Sequence, residues 1–522
     1  MLGALIETAL SSITAVNVAL GCAAVLAYFM YNSVKRPPGM PPGPRPYPFI
    51  GNILMFRKKP ARDVFRDCSK EYGNVFSVKV GKWWLVVLND IEVVRDAFLK
   101  KPIDFADRPQ LFSVELLTEG YKDISFSPHN EKWKLHRKLS HSAIRHFASS
   151  RKLEKLAEEI TGRMSERIDA FKGQPMDPKD VILLGIYNIL TSLSFGETYD
   201  FDDPRLQFFI NMSKEGFEII GRGFAADFIP IARFIPESAA LRKHKKHLSQ
   251  YLGKIHDYFR SHRETYDPDN QRDMFDSLIH AQEEAIDEGS EHISKLTDTH
   301  LCQTISDMFG AGTESLIATL TWTIALMAEN PDIQQKCVDE IHKVIGQERF
   351  PCLQDRGNLP YCEATIMEIL RYSSIGQFAL PHTTHCDTIL RGYAIPKGTM
   401  VIPNLIAIHF DEKYWDEPET FKPEHFLDET GCIRQHPNSF LPFSTGPRVC
   451  LGEALAKSEL FLLFSWLLQK YEFSKVPGQE DKPLINVDPW GFLGRAPEPY
   501  QVVCKNANEK YINLHLFVQC CR

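Results

Sequence analysis

The stretch Phe443-Ser-Thr-Gly446-Pro447-Arg448-Val449-Cys450-Leu451-Gly452 runs straight into Glu453-Ala454-Leu455-Ala456, a clean helical start. A cysteine just ahead of a helix N-terminus sits where backbone amides and the helix dipole favour a thiolate. Gly446 permits a tight turn, and Gly452 lets the helix approach a flat ligand. Arg448 places a cation two residues from the sulfur, suited to a carboxylate. Together these residues suit a sulfur-ligated haem whose propionates need arginine partners. A buried structural cysteine in a turn is the competing reading, and it accounts for the thiol but not for the ten-residue pattern.

A second concentration of chemistry is Phe309-Gly310-Ala311-Gly312-Thr313-Glu314-Ser315, inside a long apolar helical pattern over Leu301–Glu329. Two glycines in a helix interior cost about 1 kcal/mol each relative to alanine. The spacing therefore predicts a local opening at Gly310 and Gly312, with room for a small ligand and water. Glu314 and Ser315 then offer an acid and a hydroxyl able to relay protons. No G-x-G-x-x-G fingerprint and no flavin-sized extra domain occur, so a redox haem here would take its electrons from another protein. Lys132, Lys134, Arg137, Lys138 and Arg145 form a candidate basic docking face, although such a run is also an ordinary solvated helix face.

These groups need a large scaffold to position them. The chain has 522 residues with 43% hydrophobic and 24% charged side chains, enough for a sizeable core and far from a disordered composition. A net charge of −7 excludes a typical nucleic-acid binder. Twelve cysteines without CxxC pairs read as mostly reduced thiols rather than a disulfide scaffold. No charged residue occurs from Thr8 to Val34, and Lys35, Arg36, Arg45 and Arg57–Lys59 follow. That length crosses a hydrocarbon core, and the flanking charges keep the body cytoplasmic. A cleaved signal peptide would need a positive start, and a mitochondrial presequence would need basic residues before Lys35. Under this topology the acceptor-like Asn211-Met212-Ser213 never meets the lumen and is chance.

Residues 1–34 thus read as a transmembrane signal anchor, and 35–48, with its proline run from Pro37 to Pro48, as a stiff spacer. Residues 49–506 read as one catalytic domain and 507–522 as a tail. The expected fold is mainly α with small β-sheets (α+β). A hairpin is expected over Val75–Val80 and Trp84–Leu88, with Asp90 capping the next helix. Helices are expected over Lys152–Phe171, Leu248–Tyr266 and Leu451–Leu468, and short strands at Thr388–Ile395, Met400–Pro403 and Tyr500–Cys504. A second apolar surface is expected over Phe224–Ile235, where Phe224, Phe228, Ile229, Ile231, Phe234 and Ile235 crowd together.

The pattern Phe443-x-x-Gly446-x-Arg448-x-Cys450-x-Gly452 resembles the haem-binding loop of the cytochrome P-450 family. Glu368-Ile-Leu-Arg371 matches that family's glutamate–arginine pair, and Phe421-Lys-Pro423-Glu424-His425-Phe426 resembles its next signature. Arginine is usual where His425 stands, so the cluster with Glu368 and Arg371 is altered and part of its charge depends on pH. Trp133-Lys-Leu-His-Arg137 and Pro381-His382 resemble segments that contact haem propionates. The family usually carries threonine where Ser315 stands. The resemblance implies haem b on Cys450, with Trp133, Arg137, His382 and Arg448 at the propionates. It also implies NADPH–cytochrome P-450 reductase as electron donor, cytochrome b5 as a second one, and an endoplasmic reticulum membrane location. Further likenesses, including Leu441-Pro-Phe443 and Trp466–Tyr471, point to the steroid 17α-hydroxylase/17,20-lyase branch. That branch usually has asparagine at the position of Lys214, where it meets a sterol oxygen. Steroid hydroxylation is the first expectation, and broad oxidation of xenobiotics, aromatics or fatty acids the second. A haem-thiolate isomerase that rearranges a peroxide without reductase, and a non-catalytic haem protein, complete the set.

Overall fold

The computed structural model describes residues 15–148, 151–200, 202–234, 236–487 and 494–507. The tail beyond Ala507, the first part of the apolar segment and Ile235 lie outside the described residues. The core is built from long helices. Asp298–Glu329, 32 residues long, packs against Pro178–Phe195, Pro204–Arg222, Ala239–Glu264, Pro360–Ser373 and Glu453–Lys470. Pro178–Phe195 is buried nearly all round, as the unbroken run Val181–Leu184 followed by Ile186, Ile189, Leu190 and Leu193 demands. Leu455 and Leu460–Leu468 do the same for the helix after the cysteine loop.

The hairpin forms as expected over Val75–Val80 and Trp83–Leu88, and Asp90 caps Ile91–Arg95 through the Glu92 amide at 2.7 Å. The hairpin is one edge of a four-stranded sheet. Trp83–Leu88 pairs in parallel with Met400–Pro403, which pairs antiparallel with His382–Thr383. Thr388–Ile395 is two strands, Thr388–Leu390 and Tyr393–Ile395, folded about Arg391-Gly392. The last strand is Val503–Asn506, paired with Tyr471–Ser474, slightly later than expected.

The proline-rich segment differs from a free-standing spacer. Pro42 accepts a hydrogen bond from the Ser77 amide at 2.7 Å, Gly39 accepts one from the Ala394 amide at 2.9 Å, and Met40 is buried with Val75 and Val86. A Cβ at Gly43 would lie 1.9 Å from the Ser77 carbonyl oxygen, so only glycine lets the chain lie this close to the sheet. Proline leaves these carbonyls free of local partners, and the sheet supplies donors for them.

The helix Ala15–Val34 is long and apolar enough to cross a membrane, and no residue of its Asn17–Val34 window is buried in the protein. Ile231 and Phe234 are 71% and 88% exposed beside Arg233, which leaves an apolar surface on the Pro230–Phe234 turn. Deleting residues 1–34 is therefore expected to leave haem content near that of the full chain while weak liposome binding persists. The deletion removes the hydrogen bonds that Ser33 makes with Lys79 and Phe49 and leaves the helical core whole. Loss of all haem from the truncated protein would place the anchor inside the fold.

Candidate active site

The cysteine loop is set by local geometry. The Cys450 amide donates to the Phe443 carbonyl at 3.0 Å, closing the loop before the helix begins at Glu453. Gly446 has φ +80°, and a Cβ there would lie 2.6 Å from the Phe98 carbonyl oxygen. Glycine is required twice over, by conformation and by space. A Cβ at Gly452 would meet no protein atom, because this residue borders a cavity of about 580 Å³. Phe443, Arg448, Val449, Cys450 and Leu451 border the same cavity. Burial pushes the Cys450 thiol up, while the Gly452 amide and Arg137 favour the thiolate.

Three arginines border this cavity: Arg108, Arg137 and Arg448. Arg448 donates to the carbonyls of Ala106, Ile124 and Ser127, and Arg108 to those of Ser125, Leu380 and Pro381. Arg137 donates to the Val449 carbonyl. Burial lowers all three; the neighbouring guanidinium groups lower Arg108 and Arg448 further, Arg448 to about 9. None forms an ion pair with a carboxylate among the described residues. Buried like charges of this kind are costly unless an anion joins them. A flat macrocycle with two carboxylates and a metal seeking a fifth ligand satisfies both the arginines and the thiol. The residues present thus fit a haem held by Cys450, Arg108, Arg137 and Arg448.

His382 also borders the cavity, stacked on Phe98 at 4.2 Å. Its Nδ1 donates to the Phe105 carbonyl at 2.8 Å, and burial, reinforced by Arg108, lowers its pKa well below the ordinary value. Trp133 departs from the expected propionate contact. Its indole N–H donates to the Ile124 carbonyl at 2.9 Å, and its ring lies under Arg448 at 3.9 Å. It packs on the arginine rather than bordering the cavity, and its N–H is spent on the Ile124 carbonyl.

Helix Asp298–Glu329 passes the cavity with Gly310, Ala311, Gly312, Glu314 and Ser315 on its wall. The expected opening at the glycines is absent: the helix is α-helical throughout. Packing along 32 residues outweighs a propensity loss of about 2 kcal/mol from two glycines. Gly312 has Leu190 at ordinary contact distance, 3.5 Å from a notional Cβ, whereas a Cβ at Gly310 would meet nothing. Ser315 Oγ donates to the Ala311 carbonyl at 2.7 Å, leaving its lone pairs toward the cavity. Glu314 Oε1 is buried and has no hydrogen-bond partner, and burial pushes its carboxyl up against the pull of Lys179 and Lys214.

Glu368 and Arg371 form a fully buried bidentate pair at 2.8 and 2.7 Å, and His425 Nδ1 bonds the same carboxylate at 3.2 Å. His425 Nε2 also donates to the Asp416 carbonyl, so the histidine stands in the cluster the sequence placed it in. Of the basic run, Lys134, Lys138 and Arg145 are exposed and Lys132 half-buried, while Arg137 turns inward to the cavity. Lys134 already pairs with Glu131 at 2.7 Å. Lys214 is exposed and does not border the cavity; its neighbour Glu215 does.

Sequence reasoning missed Arg108, Glu459 and Asp307. Glu459 borders the cavity with one unpartnered oxygen, and burial raises its pKa to about 8. Asp307 accepts from the Ile124 amide at 2.8 Å, anchoring the loop that carries the arginines' carbonyl partners. Arg108 sits before a proline as in many loops, and nothing local marks it.

Residues 41–504 match the family model described as Cytochrome P450. The chain is 35% identical over 457 residues to Cytochrome P450 1A1 of Platichthys flesus, covering 84% of this chain and 86% of that one. It is 36% identical over 436 residues to Steroid 17-alpha-hydroxylase/17,20 lyase of Squalus acanthias, covering 83% and 86%. Cytochrome P450 2U1 of Homo sapiens is 34% identical over 500 residues, covering 90% and 89%. With a cysteine loop, an arginine cluster and a cavity that fit a thiolate-ligated haem, the chain belongs to the cytochrome P450 family of haem monooxygenases.

Proposed function

We propose that this P450 hydroxylates a steroid, inserting one oxygen atom of O2 into an apolar skeleton. The observation that supports this reading is the character of the cavity. It is walled mainly by apolar side chains, among them Val114, Leu117, Met212 and Leu370. Its polar groups away from the cysteine loop include Ser213, Glu215 and His244 on the helices Pro204–Arg222 and Ala239–Glu264, and Asp307, Glu314 and Ser315 on Asp298–Glu329. A rigid lipophile with isolated polar ends fits such a wall. The motifs shared with the steroid branch point the same way. Oxidation of planar aromatics or fatty acids is the second reading, supported by equal likeness to the 1A1 and 2U1 relatives and by Lys214 in place of asparagine. Electrons come from NADPH–cytochrome P450 reductase, with cytochrome b5 as a second donor, at the endoplasmic reticulum membrane. Lys134, Lys138 and Arg145 form part of the docking face. A spectral binding screen of a steroid panel against planar aromatics tests the substrate; tighter binding of the aromatics overturns the steroid reading. Turnover that needs NADPH and reductase separates a monooxygenase from an isomerase.

Bound haem supplies the oxygen activation that no side chain provides. Cys450 would hold the haem, Arg108, Arg137 and Arg448 would hold its carboxylates, and Glu314 and Ser315 would hold and move protons beside it. Ser315 Oγ, bonded to the Ala311 carbonyl, is placed to accept and pass on a proton. Ser315→Ala is expected to leave haem content near normal, lower product formed per NADPH by about threefold or more and raise hydrogen peroxide release. Ser315→Thr is expected to retain coupling. Equal ratios in wild type and Ser315→Ala would mean that water alone delivers the protons. Because the Glu314 pKa is raised, its carboxyl keeps its proton to higher pH than an ordinary glutamate. Coupling should therefore hold below that raised pKa and fall as pH rises through it, and Glu314→Gln should flatten the profile.

A further inference from the structure

The wall formed by helices Pro204–Arg222 and Ala239–Glu264 carries an unused hydrogen-bonding group. Glu215 borders the cavity, and its two carboxylate oxygens bond His244 Nδ1 at 2.8 Å and His247 Nδ1 at 3.0 Å. His244 is 7% exposed and also borders the cavity. Its Nε2 is buried with no hydrogen-bond partner. A buried polar atom left this way costs about 1–3 kcal/mol unless a ligand or water meets it. Lys214, the neighbouring residue, is exposed and does not border the cavity.

We propose that His244 Nε2, oriented by Glu215, is a substrate-anchoring group that hydrogen-bonds a hydroxyl on the lipophile. The chemistry follows from the partner. A carboxylate only accepts, so His244 Nδ1 carries a proton toward Glu215, and Nε2 is the ring nitrogen left without a partner. Burial pushes the Glu215 carboxyl up, but the bonds from His247 and His244 outweigh it and hold the pKa below the ordinary value. Glu215 is therefore an acceptor for both rings. A hydroxyl completes the set, because it can donate to or accept from Nε2. The ring's position is fixed on two sides, by Glu215 and by Phe224, whose ring centroid lies 6.2 Å away. The preference concerns a hydroxyl over a methyl group at one point of the substrate. It rests on the cavity being the substrate site and does not depend on the skeleton being a steroid.

The test uses the full-length haem-loaded enzyme and N-alkylimidazoles, which anchor on the haem whatever the natural substrate is. A series of chain lengths is prepared in pairs, one ending in a hydroxyl and one in a methyl group, and each dissociation constant is read from the shift of the haem absorption. At the chain length that reaches His244, the hydroxyl ligand should bind about threefold to tenfold more tightly than its methyl partner. That advantage should vanish in His244→Phe and shrink in Glu215→Gln, where a neutral amide holds the ring less firmly than the carboxylate. Methyl-ended ligands should bind all three proteins alike. Equal affinity of each pair in the wild type at every length overturns the proposal, as does a hydroxyl advantage that survives His244→Phe. If His244→Phe fails to load haem, Glu215→Gln decides: an undiminished hydroxyl advantage there also overturns it. A steroid screen that fails while the paired imidazoles behave as expected would sink the steroid reading and leave the anchor standing.

Discussion

Cys450→Ser should yield a folded, soluble haem domain whose reduced, carbon monoxide-treated spectrum has lost the thiolate signature and whose monooxygenase activity is abolished. The loop does not depend on the sulfur for its shape. The Cys450 amide to Phe443 carbonyl bond, the left-handed Gly446 and the Glu453–Lys470 helix all survive replacement of sulfur by oxygen. What changes is the ligand. A serine hydroxyl neither ionises near neutral pH nor donates electron density as a thiolate does, and that donation favours O–O cleavage in P450s. The arginine cluster is untouched, so haem should still be retained, more weakly. The check is the reduced carbonyl spectrum beside circular dichroism on the same sample. An unchanged spectrum would falsify Cys450 as the ligand.

Arg371→Met should be the most damaging single change to stability away from the haem. Arg371 is fully buried and donates to both oxygens of Glu368, to the His409 carbonyl at 2.7 Å and to the Thr420 carbonyl at 3.3 Å. Methionine keeps the stem and removes every donor. The Glu368 carboxylate is then left with the Lys422 amide at 2.9 Å and His425, and two carbonyls lose their partner. Breaking one side of a buried pair costs about 3–5 kcal/mol, against a total stability of roughly 5–15 kcal/mol. Little haem protein should be recovered, and any that is should unfold at a clearly lower urea concentration. Lys336→Ala is the contrast. Its pair with Glu424 is about half exposed on both sides and 3.5 Å long, so its loss should shift the midpoint by less than about 1 kcal/mol. His425→Arg should fold, because both partners of the histidine are acceptors that a guanidinium can also meet. Equal urea midpoints for Arg371→Met and wild type would show that the ion pair is not structural.

Where chemistry depends on residues close in the chain, the sequence alone determined it. The cysteine loop, the Glu368–Arg371 pair and the hairpin with its Asp90 cap are written at fixed short spacings. Turn geometry, helical periodicity and strand alternation act over only a few residues. The mainly helical fold and the apolar first helix are legible for the same reason. Only the tertiary structure decided the rest. Arg108 joins Arg137 and Arg448 because a loop and a helix 29 positions apart converge with the cysteine turn more than 300 positions further on. The intact helix at Gly310 and Gly312 reflects neighbours that outweigh local propensity. Trp133 keeps its motif position yet spends its N–H on Ile124, a partner chosen by how the preceding loop lies. Glu215 and His244 meet across two helices, 29 positions apart, with no pattern linking them in the chain. Such meetings follow from which faces pack together, and that is set by burial of the whole core rather than by any local run of residues.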